Sequence, residues 1–395
     1  MNFAGKTIDR IWQLATAERV TALLLLLAVA ASFQAHSQVL KEFMMPTYGN
    51  TNIHVASERH LLEHGEYPLW NDYSYGGGAP NTYVPLYRFA VAQYAAATGL
   101  DLDSASRLFV LFFALLLPLG FYCWAKELFG QKAGIAAAFF ASLPAELLIY
   151  TVRPLPQGFG LVLLPFLFAV IWKKNWPASL LFSFAITMVH QEAAVFFVVC
   201  LFGYAMLQIA RRVLAFLLKR EWRKGIAEDV GLPLACWAIG TFSYLGWQQL
   251  TFGTWNIFSL AQFKHHEGAA VTMDLFFSKT GWLVPVLAAI GLWLVAAELL
   301  QSELEKWAKE SSASLYAAAL FLASVFFVKN DEAGRWLKAA LLWLGGVLGT
   351  ALVAKDATLL TVFMDRFIVY LQVPLIALAG LGAAQLHDWL DATAS

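Results

Sequence analysis

Residues 46–89 read "PTYGNTNIHVASERHLLEHGEYPLWNDYSYGGGAPNTYVPLYRF". This polar, aromatic stretch is set in a chain that is otherwise mostly lipid-soluble. It holds His54, Glu58, Trp70, Asp72, a Gly76-Gly77-Gly78 turn and the tyrosines 48, 67, 73, 75, 83 and 87. A chain that crosses a bilayer many times keeps such a segment only where it is solvated or buried in protein. The stretch is therefore the expected seat of the chemistry. "NIHVASERHLLEHG" predicts a short helix, with Asn52 as N-cap and Gly65 just beyond its end. His54 and Glu58 lie four apart and share a face. Pro68, the glycine triplet and Pro80 make the following run turn-rich. Residues 84–98 mix Leu86, Phe89, Val91 and Tyr94 with Arg88 and Gln93, a pattern suited to an interfacial helix.

The flanking sequence sets the class. Of the 395 residues, 59% are hydrophobic and 14% charged, against about 25% charged in soluble domains. Apolar runs of roughly 18–22 residues are long enough to cross the hydrocarbon core as helix. The expected fold is an all-α polytopic membrane protein with about 10–11 transmembrane helices, forming a single domain over residues 1–395. Formal net charge is zero, so no nucleic-acid partner is expected. Cys123, Cys200 and Cys236 lie in apolar runs, which indicates neither a disulfide framework nor a zinc site. Residues 20–33 read as a retained first helix, because so many spans follow. Continuous spans are expected near, among others, roughly 105–125, 133–150, 156–172, 176–190 and 192–210.

Basic residues orient these spans. Lys6, Arg10 and Arg19 precede the first, and Lys126, Lys132, Lys173, Lys174, Arg211, Arg212, Lys219 and Arg220 fall at alternate connections. The positive-inside rule puts these connections and the N-terminus in the cytoplasm. The long loop 42–104, the turn at Arg153, the His190-Gln191-Glu192 turn and the second loop 251–281 then share the non-cytoplasmic face. After residue 300 the preferred reading keeps 314–328 from crossing and puts Arg366 at that same face.

Each polar feature carries two readings. The tyrosines and Trp70 can present ring faces to a sugar or form the aromatic belt at the membrane boundary; Trp70, beside Asn71 and Asp72, is the best sugar contact. Arg153, fixed by Pro154 and Pro156, suits a phosphate group or snorkels to lipid headgroups. Glu146 could be its partner. His190 and Glu192 interrupt a long apolar stretch, and such groups line a cavity or form a buried pair. Lys264, His265, His266 and Glu267 suit phosphate or sugar contact, or a solvated loop. The adjacent histidines lack the spacing of a helical metal-ligand pair, so a divalent cation is a minor alternative and no cofactor is assigned. Asp365 and Arg366 form a local pair or meet phosphate.

Taken in order, these elements resemble the GT-C superfamily of membrane glycosyltransferases. The likeness is greatest to the bacterial and archaeal branch often labelled as membrane proteins related to 6-pyruvoyl-tetrahydropterin synthase. His54, "GEYPLW" 65–70, "YGGGAP" 75–80, "PLY" 85–87, Arg153, His190 and "DRFIVYLQVPLIALAG" 365–380 carry the resemblance. It implies an integral protein of a bacterial or archaeal plasma membrane that takes a sugar from a polyprenyl-phosphate carrier. The sugar passes to a glycan, lipid or protein acceptor on the non-cytoplasmic face. A carboxylate would act as general base, with Asp72 and Glu58 as candidates. Arg153, His190, Arg366, Lys264 and His265 would meet the donor phosphate. His54, Trp70, Tyr75 and Asn50 would meet sugar or acceptor. One departure stands out: members carry Asp about four residues before the matched histidine, and this chain has Asn50. An amide cannot serve as a base. Either another carboxylate takes the role, or the chain is a non-catalytic binding or transport protein for lipid-linked glycan on the same scaffold. A coupled ion transporter lacks support, since no inverted repeat is evident.

Overall fold

The computed structural model describes residues 3–42, 51–71, 78–81, 83–219, 227–253, 273–293 and 367–394. Asn50, Asp72, Tyr75, Lys264, His265 and Arg366, and the whole of 294–366, lie outside the described residues. The architecture is all-α and polytopic, with the helices of a membrane protein. Among the described residues, five helical segments are long and apolar enough to cross a bilayer: Glu18–Gln38, Leu102–Phe129, Gln191–Ala210, Ala227–Phe252 and Ile368–Ala392.

Helix α1 (Phe3–Glu42) leads into the polar segment, which forms α2 (Thr51–His64), a two-residue strand pair β1 (Trp70–Asn71) and β2 (Ala79–Pro80), and α3 (Leu86–Thr98). The end of α2 is as predicted. Gly65 adopts φ 74° and its N–H bonds to the Leu61 carbonyl at 2.9 Å, a left-handed stop that costs glycine least. The start differs, because α2 already includes Thr51 and so places Asn52 inside its first turn rather than at the cap. Helix α3 packs against α2 and α4, burying Tyr87, Arg88, Val91, Ala92 and Ala95. Its small alanines permit that close approach.

Helix α4 (Leu102–Phe129) is the central post, started by Asp101, whose carboxylate accepts from the Ser104 N–H at 2.9 Å. It packs on α1, on α5 (Gln131–Phe140) and on α7 (Pro156–Trp172). Phe113, Leu117 and Phe121 of α4 are fully buried against Leu161 and Leu164 of α7. Inside a bilayer such packing rests on van der Waals fit, since lipid tails are as apolar as leucine.

The span expected at 133–150 is not continuous. It breaks into α5 and α6 (Ala145–Val152), bent by 71°. Pro144 explains the break: it has no N–H to give to the preceding turn, and its ring blocks helix continuation. Pro144 sits at φ −67°, ψ 118°, as the cap of the short α6. Helices α8 (Trp176–Val189) and α9 (Gln191–Lys219) are separated by the single extended residue His190, at φ −155° and ψ 124°. A π-turn (Ala227–Gly231), α10 (Leu232–Phe252), α11 (Met273–Thr280), α12 (Leu283–Trp293) and α13 (Phe367–Ala394) complete the described structure. Ion pairs Lys173–Glu127 (3.1 Å), Lys174–Glu228 (2.6 Å) and Arg212–Asp229 (2.9 Å) join several of the basic connections to one another at one end of the bundle.

Candidate functional site

The site is built around one side chain. Arg88 is fully buried. Its Nε and Nη2 reach His54 Nδ1 at 3.1 and 2.9 Å, and its Nη1 donates to Asn81 Oδ1 at 3.1 Å and to the Tyr67 hydroxyl. The guanidinium carbon also lies 4.9 Å from the Tyr83 ring centre and 5.5 Å from that of Tyr67. A buried charge is tolerated only when its hydrogen-bonding groups are answered, and here three positions spread over 34 residues of sequence answer it. Among the described residues Arg88 has no carboxylate within ion-pair distance.

Asn81 links this hub to the strand pair. Its Nδ2 donates to the Pro68 carbonyl at 2.8 Å and its N–H to the Leu69 carbonyl at 2.8 Å. Trp70 pairs with Pro80 and Asn71 with Ala79. Gly78, at φ 96°, lies directly under the Trp70 indole, where a Cβ would collide. The indole nevertheless stays half exposed, at 51%, and offers a face to a ligand. The tyrosines read as belt or sugar platform divide differently. Tyr67 donates to the Tyr83 carbonyl at 3.1 Å, and Tyr83 and Tyr87 set their edges against His54 at 4.9 and 6.2 Å. These three build the interior of the segment. Tyr75 lies outside the described residues.

Glu58 sits on the same buried face of α2 as His54, as the four-residue spacing requires; the two are 1% and 2% exposed. It does not pair with Arg59 or His54. Its Oε2 accepts from the Ser106 hydroxyl of α4 at 3.0 Å. Burial pushes its carboxyl up to about 7, offset in part by the Ser106 bond and the Arg88 charge. Burial is also the main cause that holds His54 well below the ordinary histidine range, aided by the charges of Arg88 and His190. The Tyr87 hydroxyl is buried without a hydrogen-bond partner among the described residues. Burial raises it well above the usual tyrosine range, and the Glu58 charge adds to that.

His190 is the second anchor. Its position at the α8–α9 joint brings its ring to Tyr370 of α13, whose hydroxyl lies 3.4 Å from Nδ1, and to the Ala193 N–H, also at 3.4 Å. Tyr370 stacks on Phe196 at 5.2 Å. His54 and His190, 136 positions apart by their numbers, thus act on each other electrostatically.

The broken helix forms the third part. Arg153 caps α6 and places its guanidinium 5.7 Å from the Tyr150 ring centre. Glu146 is not its partner: it pairs with Lys279 of α11 at 2.8 Å. Gln372 of α13 ties the pieces together. Its Oε1 accepts from the Leu147 N–H at 3.0 Å, and its Nε2 donates to Thr280 Oγ1 at 3.0 Å and the Lys279 carbonyl at 3.3 Å. On the other side, the Thr151 hydroxyl meets His36 of α1 at 3.0 Å. The short helix is thereby held from both flanks with a first-turn N–H answered. Sequence reading missed Arg88, Gln372 and Lys279. Arg88 carried a signal, a lone cation in an otherwise apolar helix after "PLY"; Gln372 and Lys279 carried none.

Among the described residues one His/Asp group could converge on a metal ion: His387, Asp388 and Asp391, all exposed. Lys132 already engages Asp388, at 2.5 Å. The group sits near the end of α13 with the start of α5, and not at the Arg88 hub.

No family model matches the chain, and no curated protein matches it. Solved structures do. The apo oligosaccharyltransferase of Archaeoglobus fulgidus superposes with a TM-score of 0.54 at 11% identity, over 94% of this chain and 51% of that one. The same enzyme tethered by a disulfide to an acceptor peptide containing the NVT sequon gives 0.53 at 12% identity, over 94% and 50%. Archaeal oligosaccharyltransferase AglB from that organism, in complex with an inhibitory peptide and a dolichol-phosphate, gives 0.53 at 10%, over 95% and 51%. The chain therefore shares its fold with these oligosaccharyltransferases over nearly all of its length. The chain spans about half the length of these proteins.

Proposed function

We propose that this protein is a membrane glycosyltransferase that moves a sugar from a polyprenyl-phosphate-linked donor to an acceptor on the non-cytoplasmic face. The observation that carries the reading is the buried cluster of Glu58, His54 and Arg88 beside His190, set in a GT-C fold. A carboxylate raised to about 7 is matched to taking a hydroxyl proton near neutral pH. Glu58 Oε1 has no hydrogen-bond partner among the described residues. Asp72, which follows the half-exposed Trp70 in sequence, is the other candidate base. Arg153 and His190, with Arg366, Lys264 and His265 from outside the described residues, would neutralise the leaving phosphate. Trp70, Tyr75 and Asn50 would meet sugar or acceptor. A structural neighbour that binds a dolichol-phosphate lends support to the lipid carrier. The narrower bacterial and archaeal branch rests on the motifs alone.

Membrane extracts containing the protein, given labelled polyprenyl-phosphate sugars, should form a new labelled product that is absent from extracts without it. Failure with every donor and acceptor pool tried, at matched protein levels, would overturn the reading.

The orientation has its own test. Ser74→Cys and Ala269→Cys should react with an impermeant thiol reagent in intact cells. Labelling of either only after lysis would put that loop, and the site with it, on the cytoplasmic side.

A second reading is favoured by Asn50, which stands where the resembling family carries a carboxylate: a non-catalytic binding or transport protein for lipid-linked glycan. Donor binding without turnover, with activity gained in Asn50→Asp, would decide for it.

A further inference from the structure

We infer that Arg88 fixes His54 in the Nε2–H tautomer, so that His54 serves the site as a hydrogen-bond donor to a ligand oxygen and never as its base. Arginine has only donors. Two of its N–H groups converge on His54 Nδ1, at 3.1 and 2.9 Å. That nitrogen must therefore offer its lone pair, and the single proton of the neutral imidazole is left on Nε2. A proton on Nδ1 would point at two guanidinium N–H groups in a site with almost no water, since Arg88 is 0% and His54 2% exposed.

A flipped ring would turn Cδ2–H toward the guanidinium and lose both Arg88 contacts. Tyr83 and Tyr87 meet the ring edge-on at 4.9 and 6.2 Å, and Arg88 is itself held by Tyr67 and Asn81. Nε2 has no hydrogen-bond partner among the described residues. The groups around the ring are Glu58 on its own helix, Tyr83, Tyr87 and Arg88 from the strand–α3 side, and His190 from the α8–α9 joint. The two basic neighbours, Arg88 and His190, both oppose a second proton on His54. Arg88 is thus a positioning residue: it acts through His54. This assignment rests on the glycosyl-transfer reading for its purpose, leaving the carboxylate as the proton acceptor, but its geometry is independent of any turnover.

The test is nitrogen NMR on the full-length protein in lipid nanodiscs with ¹⁵N-labelled histidine, His54 being identified by the signals lost in His54→Gln. The expected result is an unprotonated Nδ1 and a protonated Nε2, without change between about pH 5 and 8. A protonated Nδ1, or a titration inside that interval, would overturn the inference. In Arg88→Met, if folded, a second tautomer or a titration should appear; unchanged signals would remove Arg88 from the role. Should that variant not fold, the wild-type spectrum still decides the tautomer. Absence of glycosyl transfer would sink the functional reading and leave these spectra untouched, whereas an Nδ1–H form in an active protein would sink this inference alone.

Discussion

Glu58→Gln is expected to lower turnover by roughly 10²–10⁴-fold with little change in donor binding, the size of effect for loss of a general base. The amide keeps the shape of the carboxylate and its acceptor for Ser106, but it cannot take a proton. The wild-type pH profile provides a second readout. The base must be ionised to act, and burial holds Glu58 near 7. The rate should therefore rise as pH rises through about 7, and Glu58→Gln should lack that limb. Stability runs the other way. The folded-state value stands above the ordinary 4.5, so the folded protein binds the proton more tightly than the unfolded chain. That contribution is fully present below about 4.5 and is lost as pH rises through about 7. The expected activity and stability trends thus oppose each other across neutrality. Asp72→Asn is the companion variant. If neither substitution slows an active wild type, the base lies elsewhere, and Glu192 is the next carboxylate to replace.

Arg88→Ala is expected to destabilise the protein by about 2–5 kcal/mol, since it leaves several buried polar groups without their donor. His54 Nδ1, Asn81 Oδ1 and the Tyr67 hydroxyl would all lose their guanidinium contact. These residues hold α2, the strand pair and α3 to one another, so the loss should concentrate there. The measurements are the thermal melting temperature in detergent and the rate of proteolytic cutting between α2 and α3. Arg88→Lys should recover part of the loss, because it keeps the charge but not the fork that reaches three partners. An unchanged melting temperature and cutting rate in Arg88→Ala would show that the hub does not hold the segment.

Much of the candidate site was legible in the chain because its signals are local. A polar, aromatic run within apolar sequence marks itself by contrast. The four-residue spacing of His54 and Glu58 puts both on one face of a helix whatever surrounds it, and Gly65 ends that helix by its own backbone freedom. His190 betrayed itself as a polar break in an apolar stretch. The expectation of an all-α, membrane-spanning fold likewise followed from composition and run length.

Other features depended on distance in space, which sequence spacing does not carry. Hydrophobic periodicity read 133–150 as one span; only packing against α11 and α13 shows why Pro144 can break it. Glu146 seemed to belong with Arg153, seven residues away, yet its partner is Lys279. Gln372 looked like any polar residue near a helix end until the fold placed its amide against Leu147 and Thr280. Arg88 is the sharpest case. Beside water its charge would have been unremarkable, and the same residue on an interfacial helix would have faced headgroups. The tertiary structure instead folds α2 and the strand pair over it, and burial makes one surface-type side chain the centre of a buried hydrogen-bond cluster. The chain alone determined which groups were available and on which helical faces they stand. Which of them meet, and in how dry a place, was decided by the packing of α2, α3, α4 and the α8–α9 joint, because hydrogen bonds and desolvation depend on neighbours that lie tens to hundreds of residues apart.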